Sequence, residues 1–312
     1  MNSLVSIIIP THNRVHLIGE TLESVIAQTY KNWECIVVDD GSNDYTDQLM
    51  EFYCERDARI QFYHRPAHKP KGANACRNYG FALSKGAYIN WFDSDDIMHP
   101  EKLTLQYFAV VKHDLDIHIS QSIYFKRTIS DDNLNELKSF NFESDLFNDF
   151  ISYVLKFFTP SSLIKRDFLE KQQITFNEKL HRNQEFEFYI HVLANKAKVT
   201  FSDKVLTFVR SHSSSISFSG YAKEKAMSIF YSNFIILQKY PDRINQKSIA
   251  VVKDRIITVY SSLLINKDFD SAKEIIDRLS QSLLTNNLYR LKFKLAYFSY
   301  RFFNGGNKIL RF

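Results

Sequence analysis

The stretch Ala87-Tyr-Ile-Asn-Trp-Phe-Asp-Ser-Asp-Asp96 joins a short apolar run to a cluster of carboxylates, and it decides the fold class. A strand that ends in clustered carboxylates places hard oxygen ligands at the carboxyl edge of a sheet. Open α/β folds bind ligands at this edge, and Mg²⁺ or Mn²⁺ can hold a diphosphate there. The alternative is helix capping, because Asp and Ser also cap helices and Pro100-Glu101 has the composition of a first helical turn.

A second group of carboxylates is placed in the same way. Residues 34–42, Glu-Cys-Ile-Val-Val-Asp-Asp-Gly-Ser, form a short β-branched run that ends in two aspartates and is followed by turn residues. An earlier run, residues 4–9, is followed by Pro10-Thr11, and a helical apolar pattern begins at Leu17. The predicted elements follow the βαβ order of a parallel sheet: strand, polar loop, helix, strand, acidic loop and helix.

Length and composition fit a large α/β domain with an appendage, since 45% of the 312 residues are hydrophobic and 24% are charged. The three cysteines, Cys35, Cys54 and Cys76, lack Cys-x-x-Cys spacing, which favours a reducing compartment over a zinc site or a disulfide framework. The chain begins in a strand rather than a signal peptide, and no run of about 18 apolar residues occurs. We therefore expect a cytoplasmic protein without a membrane span.

The formal net charge of +5 is concentrated in the tail, because residues 288–312 hold six basic residues and no acid. Cations alternate with aromatic residues there, which is typical of a helix on an anionic bilayer. One interpretation is therefore contact with the inner membrane surface through residues 288–312, on its cytoplasmic face. The other is a terminal helix docked on its own domain, with Lys and Arg stems that reach water. Nucleic acid is not an expected partner, since the rest of the chain has no basic stripe.

The remaining patterns divide the chain near Gly220. The sequence predicts a helix over 100–112, a strand over 115–125, a polar loop over 127–144, a strand over 158–166, a helix over 183–196 and a strand over 198–210. Beyond the boundary helical patterns dominate, over 222–239, 248–266 and 271–284. We therefore predict one domain over residues 1–220 and a helical C-terminal region over 221–312 that carries the basic aromatic tail.

Five ordered blocks in the first hundred residues resemble family 2 glycosyltransferases with the GT-A fold. The blocks are Val5-Ser-Ile-Ile-Ile-Pro-Thr-His-Asn-Arg14, Leu22-Glu-Ser-Val-Ile-Ala-Gln-Thr-Tyr30, Val37-Val-Asp-Asp-Gly-Ser42, Gly72-Ala-Asn-Ala-Cys-Arg-Asn-Tyr-Gly80 and Phe92-Asp-Ser-Asp-Asp96. Two later blocks, 160–166 and 208–217, extend the resemblance to about residue 218. It implies that residues 1–220 form a GT-A catalytic domain, a Rossmann-like, mostly parallel sheet flanked by helices, followed by a helical extension.

The resemblance also implies a pocket for a nucleotide-diphosphate sugar and a divalent metal. Donor contacts are implied for Pro10, Thr11, Arg14, Asp39, Arg77, Asp93 and Ser94, and metal ligands for Asp95, Asp93 and His212. The implied metal is Mg²⁺ or Mn²⁺, and a UDP-sugar is the commonest donor. Structural alternatives remain open: Pro10 and Thr11 could end a strand and cap a helix, Arg77 could form a surface ion pair, and His212 could only hydrogen-bond.

The catalytic base is where this chain departs from the family pattern. Family members usually carry Glu-Asp at the start of the late helix, with the Asp as base, and Gln184-Glu185 stands at the matching place here. Glu185 keeps the carboxylate on a side chain longer by one methylene, so a base is expected in altered geometry. The alternative is that Glu185 and Glu187 form a solvated helix start.

The implied function is that of an inverting, metal-dependent hexosyltransferase. It would move a sugar from a nucleotide-diphosphate sugar to a hydroxyl of a saccharide or lipid-linked saccharide in surface polysaccharide biosynthesis. The alternative is a non-catalytic nucleotide-sugar-binding subunit with a degraded base site. A sugar-nucleotide pyrophosphorylase is disfavoured because residues 10–14 contain no glycine, and a nicotinamide dehydrogenase because Gly-x-Gly-x-x-Gly is missing.

Overall fold

The computed structural model describes residues 2–126, 128, 129, 139, 140, 142, 145–211, 222–280, 287–303, 305 and 307–310. The chain forms two compact units. The first comprises Met1–Asn141, Lys156–Glu178 and His191–Ser219, and the second comprises Phe142–Leu155, Lys179–Ile190 and Gly220–Phe312. The domain boundary predicted near Gly220 stays a prediction, because residues 212–221 lie outside the described ranges.

Within these ranges the first unit is built on one eight-stranded sheet. The strands are β1 (Val5–Thr11), β2 (Trp33–Asp39), β3 (Ile60–His64), β4 (Tyr88–Trp91), β5 (Ile97–Met98), β6 (Ile117–Phe125), β7 (Ser162–Lys165) and β8 (Val199–Arg210). Their order is β3-β2-β1-β4-β7-β6-β8-β5. Strands β3, β2, β1 and β4 are parallel, as are β6 and β8, whereas β7 is antiparallel to both neighbours and β5 is antiparallel to β8. The predicted mostly parallel α/β sheet is confirmed.

The described helices are α1 (Val15–Ile26), α2 (Thr46–Arg56), α3 (Ala73–Leu83), α4 (Lys102–Lys112), α5 (Leu146–Ile151), α6 (Arg166–Lys171), α7 (Gln184–Ala194), α8 (Lys223–Lys239), α9 (Gln246–Ile265), α10 (Phe269–Leu279) and α11 (Asn287–Phe303). Short 3-10 helices occupy Thr159–Ser161 and Asn307–Leu310. The predicted C-terminal helices are confirmed. None of the described helices combines the length and the apolar composition that crossing a bilayer requires.

The parallel strands are covered by helices on both faces. Every residue of β1 and β2 is buried, as expected for apolar runs in a sheet that is covered twice. Ile7 and Ile9 of β1 pack in one core with α1, α2 and α4. Ile8 points to the opposite face, where a Cβ on Gly80 would lie only 2.5 Å from its Cγ2. Glycine at position 80 therefore allows α3 to approach β1 closely.

The second unit is helical in its described part and has its own core. Helices α8, α9, α10 and α11 pack on one another, and α5 packs on α9. Arg255 of α9 ties this unit together: its Nη2 donates to the Ile151 carbonyl at 2.6 Å, and its guanidinium lies 3.9 Å from the ring centre of Tyr153. This half-buried cation is stabilised by the carbonyl acceptor and the aromatic face.

Candidate functional site

The candidate site lies where the parallel part of the sheet changes direction. The chain proceeds from β1 to β2 and β3 on one side, and α3 then returns it to β4 on the other side of β1. In open α/β sheets the ligand crevice lies outside the carboxyl ends of the strands at such a point, and here these strands are β1 and β4. Residues 10–14 and 93–96 border this crevice.

Asp93 and Asp95, hereafter the acidic pair, face arginines at the crevice. Asp93 Oδ1 accepts a hydrogen bond from Arg77 Nη2 at 2.9 Å, and Asp95 Oδ2 lies 3.5 Å from Arg14 Nε. The two carboxylate side chains are 32% and 22% exposed, so a ligand can reach both. Burial raises the pKa of the Asp93 carboxyl; Arg77 opposes this shift, and the charge of Asp95 adds to it. Four of the predicted site residues are thus brought together.

Arg77 is held by the protein interior. Its side chain is buried, its Nη1 donates to Asn74 Oδ1 at 3.2 Å, and its guanidinium lies 5.2 Å from the ring centre of Phe176. The surface ion pair considered from the sequence is therefore wrong, because the pair with Asp93 is formed by a buried guanidinium. A guanidinium fixed in this way orients the Asp93 carboxylate. Its predicted contact with the base or phosphate of a donor stays a prediction.

Thr11 contributes a buried hydroxyl at the end of β1. Within the described ranges, its Oγ1 has no hydrogen-bond partner. A buried hydroxyl without a partner is unfavourable, so a ligand hydrogen bond at this atom would be stabilising. Pro10 precedes it in the buried strand, and Ser94 is buried beside the acidic pair. The donor contacts predicted for Pro10, Thr11 and Ser94 stay predictions.

Asp39 organises the turn that follows β2. Its Oδ2 accepts from the backbone N–H groups of Gly41 and Ser42, each at 2.8 Å, and its Oδ1 accepts from Ser42 Oγ. The residue is buried and lies opposite Thr11 in the strand register, about 10 Å from β4 by ordinary strand spacing. His64 Nδ1 also lies 3.5 Å from Asp39 Oδ2. The three hydrogen bonds use three of the roughly four acceptor positions of the carboxylate, and the predicted nucleoside contact of Asp39 stays a prediction.

Arg210, at the end of β8, is a site residue that the sequence patterns do not reveal. Its backbone N–H donates to Asp96 Oδ1 and its Nε to the Asp95 carbonyl, both at 2.9 Å. Its Nη2 donates to Glu20 Oε2 at 2.6 Å, and its guanidinium lies over the Phe125 ring. Arg210 thereby fixes the backbone of the acidic loop. Arg210 lies in the block 208–217, but the family resemblance assigns a role only to His212 of that block.

Asp96 does not cap a helix, so the capping interpretation of the acidic cluster is wrong. Helix α4 begins at Lys102, and Glu101 is the residue before it. Asp96 is buried, its carboxylate accepts from Arg210, and its backbone N–H donates to the Asp93 carbonyl at 3.3 Å. These bonds hold the loop that presents the acidic pair.

The predicted base Glu185 lies half-buried in the first turn of α7 and belongs to the second unit. The preceding Gln184 donates from Nε2 to the Leu180 carbonyl at 2.7 Å. Asn183 begins the turn with φ at 56°, a left-handed conformation that asparagine tolerates. Glu187 is buried, so the solvated helix start is wrong for that residue. The base role of Glu185 stays a prediction.

The predicted metal ligand His212 lies outside the described residues, as do residues 130–138 of the predicted polar loop. In the part of the chain that the structure describes, no group of three or more His, Cys, Asp or Glu side chains could hold a metal ion. The acidic pair supplies two carboxylates. Mg²⁺ is usually held by one or two carboxylates together with substrate phosphates, so this donor set fits a metal that binds with a diphosphate.

Comparison with known proteins identifies similar chains. The family model described as "Glycosyl transferase family 2" matches residues 6–172. An uncharacterized glycosyltransferase of Methanocaldococcus jannaschii is 32% identical over 209 residues, which cover 65% of this chain and 69% of the relative. The UDP-Glc:alpha-D-GlcNAc-diphosphoundecaprenol beta-1,3-glucosyltransferase WfgD of Escherichia coli is 39% identical over 113 residues, which cover 36% of this chain and 43% of the relative.

Some curated relatives are much longer than this chain. An uncharacterized glycosyltransferase of Rickettsia bellii is 43% identical over 102 residues, which cover 33% of this chain but only 14% of the relative. Among solved structures, S. aureus TarS 1-349 in complex with UDP-GlcNAc matches with a TM-score of 0.70 and 19% identity, over 98% of this chain and 90% of that chain. This likeness concerns the fold, and it confirms the predicted GT-A architecture with C-terminal helices.

Proposed function

The chain belongs to glycosyl transferase family 2, and from this membership we propose that it transfers a sugar from a nucleotide-diphosphate sugar to a hydroxyl of a saccharide or lipid-linked saccharide, inverting the anomeric carbon. The observation that carries the proposal is the acidic pair beside Arg14 and Arg77, at the point where the sheet changes direction. A UDP-sugar is the proposed donor, because WfgD and the TarS complex are both named with one.

The crevice suits a diphosphate in its charges and in its free hydrogen-bonding capacity. Arg14 is 20% exposed at 3.5 Å from Asp95, a distance at which its guanidinium can also reach a phosphate oxygen. The buried Thr11 hydroxyl offers a further donor to the ligand. Arg77 holds Asp93 in place from the interior, which fixes the carboxylate before the donor binds.

We assign the divalent metal, Mg²⁺ or Mn²⁺, to Asp95 and Asp93. The metal, when bound, neutralises the departing diphosphate, so no protein acid need protonate it. The raised pKa of Asp93 fits this role, because a neighbouring cation favours the charged form that burial disfavours. His212 is proposed as a third ligand, and an imidazole beside carboxylates would suit Mn²⁺ better than Mg²⁺.

Glu185 is the proposed base on the acceptor side. Its carboxylate takes the proton of the acceptor hydroxyl while the acceptor oxygen bonds to the anomeric carbon and the bond from that carbon to the diphosphate breaks. A position in the first turn of α7 supports the charged form, since a helix N-terminus favours a carboxylate. Gln184 is neutral, so position 184 adds no second negative charge beside Glu185.

The proposed acceptor is carbohydrate, and surface polysaccharide assembly is the proposed setting. WfgD is named for an acceptor that carries diphosphoundecaprenol, and a related acceptor here would bring this protein to the cytoplasmic face of a membrane. The basic tail, residues 288–312, is the segment proposed to contact that membrane.

Release of nucleoside diphosphate from UDP-sugars tests the proposal. We expect slow, metal-dependent release by the wild-type chain, with no turnover in Asp95→Ala and a loss of about a hundredfold in Glu185→Gln. The matched control is Glu55→Gln, which removes an exposed carboxylate of α2 and should leave turnover unchanged.

Three outcomes separate the parts of the proposal. Full turnover in Glu185→Gln would remove the base assignment while leaving donor binding intact. Full turnover in Asp95→Ala would remove the metal and diphosphate site. Donor binding by calorimetry without turnover in the wild type would select the alternative, a non-catalytic nucleotide-sugar-binding subunit.

A further inference from the structure

Helix α11 has two apolar rows, and only one of them is buried. The buried row is Tyr289, Phe293, Ala296 and Tyr300. Phe293 anchors the helix on α9: its ring centre lies 4.4 Å from that of Tyr260, and the Tyr260 hydroxyl donates to its carbonyl at 2.8 Å. The predicted alternative of a terminal helix docked on its own domain is therefore correct for this row.

The second row faces solvent along the whole helix. It consists of Leu288, Leu291, Leu295, Phe298 and Phe302, hereafter the exposed row, which are 50–67% exposed. Spacings of three and four residues place these side chains on one stripe, roughly 150° around the helix from the buried row. A helix that packs on a core by one stripe normally presents polar residues on the opposite face. Within the described ranges, the exposed row therefore lies outside the buried core of its own unit.

Cations flank the exposed row on both sides. Arg290, Lys294 and Arg301 fall between the exposed row and one edge of the buried row, and Lys292 falls on the other side. Lys294 and Arg301 are exposed. From position 279 to the last residue the sequence contains no acid. The solvent face of α11 is therefore an apolar stripe with a positive border.

We propose that the solvent face of α11 is a docking surface for an anionic phospholipid bilayer, with the helix lying in the plane of the interface. Leucine and phenylalanine side chains would enter the boundary between headgroups and acyl chains, while lysine and arginine would contact lipid phosphates. The inference develops the membrane contact of the proposed function, and its use to the enzyme rests on a lipid-linked acceptor.

Charge favours lipid over a second copy of this chain as the occupant. In a symmetric dimer the same patch meets itself, so the positive borders of two α11 helices would lie close together. Juxtaposed like charges cost affinity, whereas an anionic lipid surface complements the same border. The proposal therefore predicts binding that weakens as salt screens the attraction.

Co-sedimentation of the full chain with vesicles tests the docking surface. We expect binding to vesicles of phosphatidylcholine with about 30% phosphatidylglycerol, and much weaker binding to phosphatidylcholine alone. The double variant Leu291→Gln/Leu295→Gln should lower the partition coefficient by about tenfold, and Lys294→Glu/Arg301→Glu by a similar factor. Both changes are at exposed positions of the helix, so the thermal midpoint should not move.

The control variants make the same kinds of substitution at exposed positions of α4, in the first unit. Phe108→Gln removes a side chain that is 52% exposed, and Lys112→Glu reverses an exposed charge. Neither should change vesicle binding. Equal binding by wild type and the Leu291→Gln/Leu295→Gln variant would overturn the proposal, as would absence of binding by the wild type. A dimer in light scattering that dissociates in this variant, without vesicle binding, would assign the row to a second copy.

Failure of this inference is distinguishable from failure of the proposed function. Nucleoside diphosphate release in solution, without vesicles, should be the same in the Leu291→Gln/Leu295→Gln variant and the wild type. Lost vesicle binding with retained release would support both proposals. Retained vesicle binding in a chain that releases no nucleoside diphosphate would support the docking surface alone.

Discussion

Carboxylates stand at both ends of the parallel strands, and their surroundings differ. At the amino ends, Glu34 Oε1 accepts from Ser6 Oγ at 2.7 Å and from the backbone N–H groups of Lys85 and Gly86 at 2.5 and 3.1 Å. Glu34 is 7% exposed, and its donors come from the start of β1 and the turn before β4. This carboxylate joins three chain segments.

At the carboxyl ends, the acidic pair is open to solvent. Asp93 and Asp95 are 32% and 22% exposed beside arginines, and burial gives Asp93 a raised pKa. A carboxylate surrounded by donors of its own chain, such as Glu34, stabilises the fold. A partly exposed carboxylate with a perturbed pKa beside a cation is available to a ligand.

The largest effect that follows from this comparison is on stability, at Glu34. Glu34→Ala should lower the free energy of unfolding by about 2–4 kcal/mol, because it leaves the buried Ser6 hydroxyl and the Lys85 N–H without this acceptor, while the Gly86 N–H keeps only Ser6 Oγ. Urea denaturation would measure the loss. Asp95→Ala should change stability by less than about 1 kcal/mol, since a partly exposed ion pair contributes little.

The matched control for Glu34→Ala is Glu51→Ala, which removes an exposed carboxylate of α2. We expect little change in stability there. If Asp95→Ala destabilised the chain as much as Glu34→Ala, the distinction between the two ends of the strands would fail.

Lys102 extends the comparison to a buried charge that lacks a partner. The side chain is fully buried, and within the described ranges its Nζ has no hydrogen-bond partner. Burial lowers its pKa to about 7, and burial together with Lys102 lowers the pKa of His118 to about 4. Lys102→Met should therefore raise the free energy of unfolding by roughly 2 kcal/mol at pH 6.

The lowered pKa of Lys102 also determines how the stability of the wild type changes with pH. Between pH 7 and the ordinary lysine pKa near 10.4, the unfolded chain binds the Lys102 proton more tightly than the folded chain. Stability of the wild type therefore rises with pH across this window, and the advantage of Lys102→Met shrinks. Urea denaturation between pH 6 and pH 10 checks this, with the exposed Lys112→Met as control. A constant difference between wild type and Lys102→Met would show that Lys102 binds its proton equally well in the folded and the unfolded chain, so that its pKa is not lowered.

The parallel part of the sheet could be predicted from sequence because its signals are local. Strands β1, β2 and β4 are mostly apolar runs, each with one internal polar residue (Ser6, Glu34 or Asn90), and polar residues follow each run directly. The antiparallel insertion of β7 between β4 and β6 was not predictable, since its partners are set by segments far away in the chain. Strand β5 has two residues, which is too short to produce a periodic pattern.

In the candidate site, too, residues close together in the chain were predictable and pairs far apart in the chain were not. The acidic pair was predicted because its residues lie together behind one strand. Arg210 was missed because its partners, Asp95 and Asp96, lie 115 and 114 positions earlier in the chain. For Asp39, the sequence could not show that the turn already uses three acceptor positions of its carboxylate.

The smallest expected effect is at Thr11, at the carboxyl end of β1. Thr11→Val removes a buried hydroxyl that has no hydrogen-bond partner within the described ranges, while keeping the side-chain shape. Stability should be unchanged or higher by up to about 0.5 kcal/mol, and the Kd for UDP with Mn²⁺, measured by calorimetry, should rise about threefold to tenfold.

The control Thr207→Val removes a buried hydroxyl that donates to the Pro160 carbonyl at 3.4 Å, so this variant should lose stability and keep its affinity for UDP. The opposite result, lost stability and unchanged affinity in Thr11→Val, would show that the Thr11 hydroxyl stabilises the fold. The residues available to a ligand at this site would then be the acidic pair and its arginines.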